Sequence, residues 1–443
     1  MDAMFWMQFA IVMVCVAIGG RLGGVGLGAT GGLGVCLLVL GLGCAPGEPP
    51  ISALLIIIAV IACTSILQGT GGLDLLVHWA EKLLRLRPRA IVFTGPLVCG
   101  LFVILVGTSY VAFSIYPVIA EVAASVKVRP ERAIAASVIC AGIGVMASPM
   151  SAAMAAMVGI MAGYDIGLVQ ILAVSLPTYI IATLATSLSV YWRGAPLEKD
   201  PEFLRRVKNG EYVELATYTE GKPFTAEPYA KRAIAIFLAG IAVSIIIASV
   251  PGLRPSFVVK GATKLLSIPN LIQMVMLATG CFIILFCKVP SYKFASGSVF
   301  RAGLVGVVAV FGIAWCTNTF FDTNTKVLME FFSGMATEYP FLFCVIAFFM
   351  SSIIFSPTVT TTIMIPLGLK FGFSPEFLVG TWACCYGDFI IPGGAQIGCT
   401  AFDRTGTTKL GSYVVNHSYL RPGVVFVVVG TVVGYLISKV VFF

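Results

Sequence analysis

The sequence has little charge. Only 11% of its 443 residues are Asp, Glu, Lys or Arg, whereas soluble proteins carry about 25%, and 58% of its residues are hydrophobic. Apolar runs of about 20 residues, the length that crosses a bilayer core of ~30 Å, recur from end to end. This composition excludes a soluble enzyme or binding domain. It predicts an all-α polytopic protein embedded in the lipid bilayer.

The chain also lacks the residues that build metal sites and disulfide frameworks. It has two His, and its 13 Cys are scattered through apolar segments without a CxxC pair. Such Cys are typical of small buried apolar side chains. Because no nucleophile–base pair or metal cluster is visible either, we predict no enzyme activity, no metal and no cofactor. We assign the net charge of +8 to loops that flank the membrane and not to nucleic-acid binding.

Most apolar segments have the length of one crossing. The predicted spans are 4–20, 24–44, 51–68, 90–126, 130–163, 166–192, 233–250, 268–287, 294–316, 341–372, 374–401 and 422–442. Because 90–126, 130–163 and 341–372 are too long for one simple crossing, we predict re-entrant hairpins at 90–126 and 341–372. We predict broken helices at 130–163 and 374–401. The charged segment 193–232 is predicted to be a solvated linker.

The linker separates two similar halves, 1–192 and 233–443. Landmarks recur in the same order and with similar spacing in both: Cys63, Pro88, Pro117, Pro130 and Pro149 in the first, and Cys316, Pro340, Pro366, Pro375 and Pro392 in the second. Basic residues surround Pro88 (KLLRLRPR), whereas two Glu precede Pro340 (KVLMEFFSGMATEYP). Since positive loops face the cytoplasm, the repeat is predicted to be inverted. The linker is then cytoplasmic and both termini lie outside.

Proline interrupts each predicted broken helix at membrane depth. Unpaired backbone there is tolerated only where it is buried in protein or lines a cavity, and helix N-termini attract anions. One such kink is more often plain helix packing, but two breaks and two hairpin tips at matched places favour a site for a small anion. The predicted substrate-binding residues are Gly107, Thr108, Ser109, Ser148, Pro149, Ser151, Ser356, Thr358, Thr360, Thr361, Pro392, Gly393, Gly394 and Gln396.

Three other features have weaker functional interpretations. Asp388 lies inside a predicted span, so it is a candidate for sodium or proton coupling, although it could simply face a water-filled vestibule. The GLGATG stretch matches a nucleotide-binding pattern, but it lies within a span and favours close helix packing instead. Residues 71–88 have an apolar and a charged face, which predicts an interfacial amphipathic helix.

Several longer stretches together resemble one family. They are RLGGVGLGATGGLGV, GGLDLLVHWAEKLLR, YPVIAEVA, ASPMSAA and FDRTGTTKLGSYVVNHSYLRPG, and they extend nearly from end to end. On these stretches the sequence resembles the anaerobic C4-dicarboxylate transporter (Dcu) family of the bacterial inner membrane.

The resemblance implies exchange of fumarate, malate or aspartate for succinate in anaerobic respiration, with both termini periplasmic. The family is similar in plan to inverted-repeat elevator carriers, which implies a moving part built from both hairpin–broken-helix units, fixed remaining spans and a homodimer. Some members also help a sensor histidine kinase detect C4-dicarboxylates. FDRTGTT, with Asp403, resembles the region implicated in that regulatory role.

The residues leave two alternatives to a simple exchanger open. A sodium- or proton-coupled dicarboxylate symporter of the same plan would use Asp388 as its ion ligand. A co-sensor for which transport is incidental would depend on Asp403.

Overall fold

The computed structural model describes most of the chain. The described residues are 3–22, 25–49, 51–212, 226–249, 251–259, 262–288, 294, 297–331, 338–354, 357–390, 396, 399–400, 402–410 and 416–442. Four predicted site residues, Ser356, Pro392, Gly393 and Gly394, lie outside these ranges.

The described part of the first half is mostly helical. Its α-helices are α1 (Ala3–Leu22), α2 (Val25–Cys36), α3 (Ile51–Gly69), α4 (Gly72–Leu86), α5 (Ile91–Val106), α6 (Tyr116–Ser125), α7 (Pro130–Ile143), α8 (Ala152–Met161) and α9 (Leu168–Tyr191). Short 3-10 turns at Ser109–Ser114 and Gly144–Ala147 connect α5 to α6 and continue α7.

The second half follows a short helix in the linker, α10 (Pro201–Lys208). Its α-helices are α11 (Ala230–Ser249), α12 (Ile268–Cys287), α13 (Ser298–Phe331), α14 (Pro340–Ile354), α15 (Pro357–Lys370), α16 (Pro375–Gly380) and α17 (Leu420–Phe442). Two antiparallel strands, β1 (Ser256–Val259) and β2 (Ala262–Leu265), form a hairpin between α11 and α12 that the sequence analysis did not predict.

Among the described residues, seven helices are long and apolar enough to cross a membrane, and the bent pair α3–α4 raises that number to eight. This confirms the prediction of an all-α polytopic membrane protein. Helix α4 is bent by 75° from α3, and Gly71 at the bend has φ +70°, a conformation that favours glycine. The amphipathic segment predicted at 71–88 is therefore present as a separate helix.

One set of helices, here called the scaffold group, consists of α1, α2, α3, α11, α12 and α13. Its tightest seam joins α2 to α13 through glycines. A Cβ on Gly31 would lie 2.3 Å from the carbonyl carbon of Gly312, and a Cβ on Gly28 would lie 2.1 Å from the carbonyl oxygen of Val308. Only glycine permits this approach, which confirms the helix-packing interpretation of the GLGATG stretch.

A second set, here called the site group, contains α5–α9 and α14–α17. Both hairpin segments and both broken helices belong to it. The last span of each half, α9 and α17, pack on each other and on the broken helices, so they lie with the site group and not with the scaffold group.

The first part of the linker is folded onto the site group. Leu197 and Asp200 are almost fully buried, and the Asp200 carboxylate caps α10 by accepting hydrogen bonds from the backbone N–H groups of Glu202 and Phe203. The prediction of a wholly solvated linker is therefore wrong for this part. Its burial depends on partners from other parts of the chain, described below.

Candidate functional site

The first break lies between α7 and α8, where the sequence predicted it. Ser148 has extended backbone geometry, and Ser151 is the N-cap of α8, accepting a hydrogen bond of 2.9 Å from Met154 N. The Ser148 hydroxyl donates to the Ile104 carbonyl (2.7 Å), and the Ser151 hydroxyl donates to the Val145 carbonyl. Both serines are buried, and their hydroxyls hold the backbone of the break in place.

The first hairpin tip lies directly on this break. Helix α5 ends at Val106, and Gly107 follows with φ +82°. A Cβ on Gly107 would lie 2.6 Å from the Met150 carbonyl oxygen. Thr108 and Ser109 follow at the tip and are half-buried. The structure therefore brings Gly107, Ser148 and the start of α8 together.

The second tip, which we expected as a turn at 356–362 within the predicted hairpin 341–372, is already helical. Helix α15 already begins at Pro357, so Thr358, Thr360 and Thr361 lie in its first turns. The Thr361 hydroxyl donates to the Pro357 carbonyl (2.7 Å) and accepts a hydrogen bond from Trp382 Nε1 (2.8 Å). A helix is possible here because proline suits a first helical turn and because threonine hydroxyls can bond to the preceding turn.

The second broken helix also ends earlier than predicted. We expected a helix from 374 up to the interruption at Pro392, which lies outside the described residues. Instead, α16 stops at Gly380, a 3-10 turn covers Trp382–Cys385, and residues 386–390 are not helical. At the C-terminal end of α16, the hydroxyl of its C-cap residue Thr381 donates a hydrogen bond to the Phe377 carbonyl (2.8 Å), a contact that disturbs helices.

Ser351 stabilises this irregular stretch and was missed by the sequence analysis. Its hydroxyl donates to the Cys385 carbonyl and accepts from Gly387 N, both at 2.9 Å, so helix α14 replaces the missing helical hydrogen bonds. Gly387 is required because a Cβ would lie 2.4 Å from the Phe348 carbonyl oxygen. The Gly at 387 within YGD is the only local signal in the sequence.

Asp388 lies in this irregular stretch and not inside a helix. Oδ1 of its carboxyl is shielded from solvent and has no hydrogen-bond partner in the part of the chain that the structure describes. Beside it is Tyr386, whose hydroxyl lies where a side chain on Gly142 of α7 would be, 2.0 Å from an added Cβ. Asp388 therefore lies close to the point where the second broken helix meets the first.

The candidate residues of the two halves lie on helices that pack together within the site group. Helices α8 and α15, which follow the first break and the second tip, pack against each other. A small cavity between the breaks is lined by Ala147, Ser175, Tyr179, Trp382 and Phe426. Gln396 is buried further on, and its carbonyl accepts hydrogen bonds from Thr400 Oγ1 (2.9 Å) and Tyr419 Oη (3.0 Å).

A buried ionic group joins the start of α7 to distant segments. This group, here called the basal cluster, consists of Arg129, Glu131, Asp200, Thr407 and Ser418. Arg129 pairs with Glu131 (Nε–Oε2, 2.6 Å) and with Asp200 (NH1–Oδ2, 2.5 Å), and Glu131 accepts from Ser418 Oγ (2.7 Å). Burial alone would raise the pKa of Asp200, but the Phe203 N–H and Arg129 outweigh it and hold the pKa below its usual range.

Asp403 lies next to the basal cluster and is itself buried. Its carboxylate accepts hydrogen bonds from the backbone N–H and hydroxyl of Thr405, from the Thr407 hydroxyl, and from the N–H and hydroxyl of Thr408 (2.7 Å each). The described contacts of Asp403 thus form a closed turn. This turn places Thr407 in the basal cluster, where its hydroxyl accepts a hydrogen bond from Glu131 N (3.2 Å).

These features define a polytopic membrane carrier whose interrupted helices meet inside the protein. Comparisons with known proteins agree. A family model described as "Anaerobic c4-dicarboxylate membrane transporter" matches residues 4–442. The anaerobic C4-dicarboxylate transporter DcuB of Escherichia coli O6:H1 is 35% identical over 446 residues, covering 98% of both chains. The C4-dicarboxylate transporter DcuA of Helicobacter pylori is 34% identical over 448 residues, covering 99% of both.

The chain belongs to this family of anaerobic C4-dicarboxylate membrane transporters, as the sequence resemblance predicted, and it is not an enzyme. Its fold is similar to the crystal structure of the Alcanivorax borkumensis YdaH transporter, with a TM-score of 0.55, 18% sequence identity and 98% coverage of both chains.

Proposed function

We propose that this protein exchanges C4-dicarboxylates, with fumarate, malate or aspartate moving against succinate, across the bacterial inner membrane. The chain belongs to a family whose members are named C4-dicarboxylate transporters, and this supports the substrate class. The observation that carries the mechanism is the packing of two hairpin–broken-helix units against each other in the site group. Both termini are proposed to be periplasmic.

The anion is proposed to bind at the ends of the interrupted helices. Ser148 and Ser151 use their hydroxyls on backbone carbonyls, so their role is to fix the break and orient the N–H groups that open α8. Thr108, Ser109 and Thr358 are half-buried at the tips and are proposed to contact the carboxylates. Helix N-termini bind carboxylates without a buried cation.

An elevator-like movement is proposed for the site group as a whole. Its helices pack on one another, and α9 and α17 pack on both broken helices. We therefore include these two spans in the moving part, whereas the sequence analysis expected only the hairpin–broken-helix units to move. The glycine seam between α2 and α13 supports a fixed scaffold group.

The test is uptake of labelled fumarate into proteoliposomes without an ion gradient. We expect fast uptake into vesicles loaded with succinate and little uptake into empty vesicles, because an exchanger needs only a counter-substrate. Equal uptake into both, or none in either, would contradict exchange.

A cation-coupled symporter is the second candidate, and the unpartnered Oδ1 of Asp388 favours it. In that case uptake into empty vesicles begins when a sodium or proton gradient is imposed, and Asp388→Asn removes this dependence. If Asp388→Asn leaves both exchange and gradient dependence unchanged, Asp388 has no coupling role.

Two further proposals concern partners. The protein is proposed to form a homodimer and, through Asp403, to assist a sensor histidine kinase. Asp403→Asn keeps the size of the turn but weakens its hydrogen bonds, so we expect reduced signalling with retained uptake. Loss of both together would indicate only a folding defect, because Asp403 holds its own loop.

A further inference from the structure

One ion pair joins the scaffold group to the site group. Lys370, the last residue of α15, places Nζ 2.7 Å from Oδ1 of Asp322 on α13. Both side chains are partly exposed, 39% for Lys370 and 50% for Asp322. The pair therefore lies at the edge of the protein, on the boundary between the two groups of helices.

Each partner is rigidly placed within its own group. Asp322 is carried by the 34-residue helix α13, which is fixed to α2 through Gly312. Lys370 lies at the end of the helix that begins at the second hairpin tip, and Thr361 in the same helix is bonded to Trp382 of the second broken helix. A displacement of the site group along the scaffold would therefore separate the two charges.

We propose that the Lys370–Asp322 ion pair is a latch that holds the site group at one end of its movement. This inference rests on the proposed elevator-like transport. A partly exposed ion pair is weak, typically 0.2–1 kcal/mol. A latch that opens in every transport cycle needs that weakness, and it shifts the balance of the two end states by about 1.4- to fivefold.

The matched position in the first half also bears a charge. Lys370 is the fourth residue after Pro366, and Glu121 is the fourth after the matching Pro117. Glu121 also bears an ion pair, with Arg85 of α4 (3.2 Å), the helix that leads into the first hairpin. The base of each hairpin thus carries a charge at the matched position, with opposite sign in the two halves. In an inverted repeat these two pairs lie at opposite faces of the membrane.

The experiment compares charge reversals in proteoliposomes. The ratio of the apparent KM for fumarate from the two sides is measured for Lys370→Asp, Asp322→Lys and the double variant. Each single reversal should change the ratio by about 1.4- to fivefold, and the double variant should restore it. The swap of Lys127→Glu with Glu198→Lys is the matched control, because that pair (3.6 Å) joins the loop after α6 to the part of the linker that is folded onto the site group. Unchanged ratios in both single variants would overturn the latch.

A second measurement needs no variant. A carbodiimide joins an amine to a carboxylate in direct contact, so it should link Lys370 to Asp322 in the wild-type protein, as read by mass spectrometry. The linked protein should lose transport, whereas full activity after linkage, or no linkage, would overturn the latch. If wild-type uptake requires an ion gradient, the exchange proposal fails, but the KM ratio and the linkage still test the latch.

Discussion

Buried polar groups are satisfied in different ways at the two ends of α7, the basal cluster at its start and the first break after its end. At the start, the basal cluster uses full charges, with Arg129 between Glu131 and Asp200. At the break, Ser148 and Ser151 use neutral hydroxyls on backbone carbonyls. The difference follows from depth, because an unpaired charge is far more costly in the apolar interior than near the aqueous face. A neutral break also leaves the positive ends of helices available to an anion.

Among the variants that test this contrast, Arg129→Ala is expected to have the largest effect, and the effect is on stability. Two buried carboxylates would lose their nearest cation, although Glu131 keeps a longer ion pair with Arg193 (3.5 Å). Breaking a buried ion pair typically costs 3–5 kcal/mol. We expect low yield and a clearly lower unfolding temperature in detergent. Arg205→Ala is the control, because Arg205 is exposed and solvent screens its pairs with Glu202 and Glu211. Equal unfolding temperatures for the two variants would show that the basal cluster is not a stabilising centre.

Gly107→Ala should have the next largest effect, and mainly on transport. Its φ of +82° costs an L-residue roughly 1–2 kcal/mol, and the new Cβ would push the first tip away from Met150. We expect at least a tenfold loss of exchange in proteoliposomes. Gly159→Ala on α8 is the control, because a Cβ there meets nothing within 4 Å. If the Gly107→Ala variant keeps normal exchange, the first hairpin tip is not part of the substrate site.

Ser148→Ala tests whether hydroxyls at the break act on the fold or on the substrate. Its loss leaves the Ile104 carbonyl and Met150 N without their bonds to the hydroxyl, at a cost of about 1–3 kcal/mol. We expect lower stability together with slower exchange.

Thr358→Ala is the complementary change, because Thr358 is half-buried at the tip. We expect slower exchange at unchanged stability. Thermal unfolding and exchange rates measured on both variants decide the matter, and unchanged exchange in either variant would count against the proposed site.

The sequence predicted those parts of the fold that local chemistry decides. Pro130 and Pro149 begin or break helices through their own rings, so α7 and the first break were found. The end of α16 at Gly380 was not found, because the irregular stretch that follows depends on Ser351, 34 residues from Cys385. The burial of the linker was missed for the same reason, since Asp200 and Arg129 are 71 residues apart.

The helix break after α3 shows a local difference between the two halves of the repeat. The first half bends by 75° at Gly71, whereas α13 continues without interruption to Phe331. The two halves share the order of their prolines but not this glycine. Matched spacing therefore predicted which segments correspond, and it could not predict their local shape.

The smallest expected effect is the pH dependence of stability that arises next to the basal cluster. His417 is buried there, and Nδ1 of its ring accepts a hydrogen bond from Tyr419 N (3.2 Å). Burial, with Arg193 nearby, lowers the pKa of His417. Below the usual histidine pKa of about 6.5, the unfolded chain therefore binds a proton that the folded protein resists, so stability falls as pH decreases.

Unfolding temperatures in detergent at pH 7.5 and 5.5 should therefore differ slightly, with the lower value at pH 5.5. His417→Gln should reduce that difference, because its side chain does not titrate. Asp200 would add its own loss only at more acidic pH, since a carboxylate whose pKa is below its usual range stabilises the fold above about pH 4 and fails as pH falls further. If the difference between the two unfolding temperatures is unchanged in His417→Gln, another group causes the pH dependence. The contrast between the charged start of α7 and the neutral break then depends on the variants of Arg129, Gly107, Ser148 and Thr358.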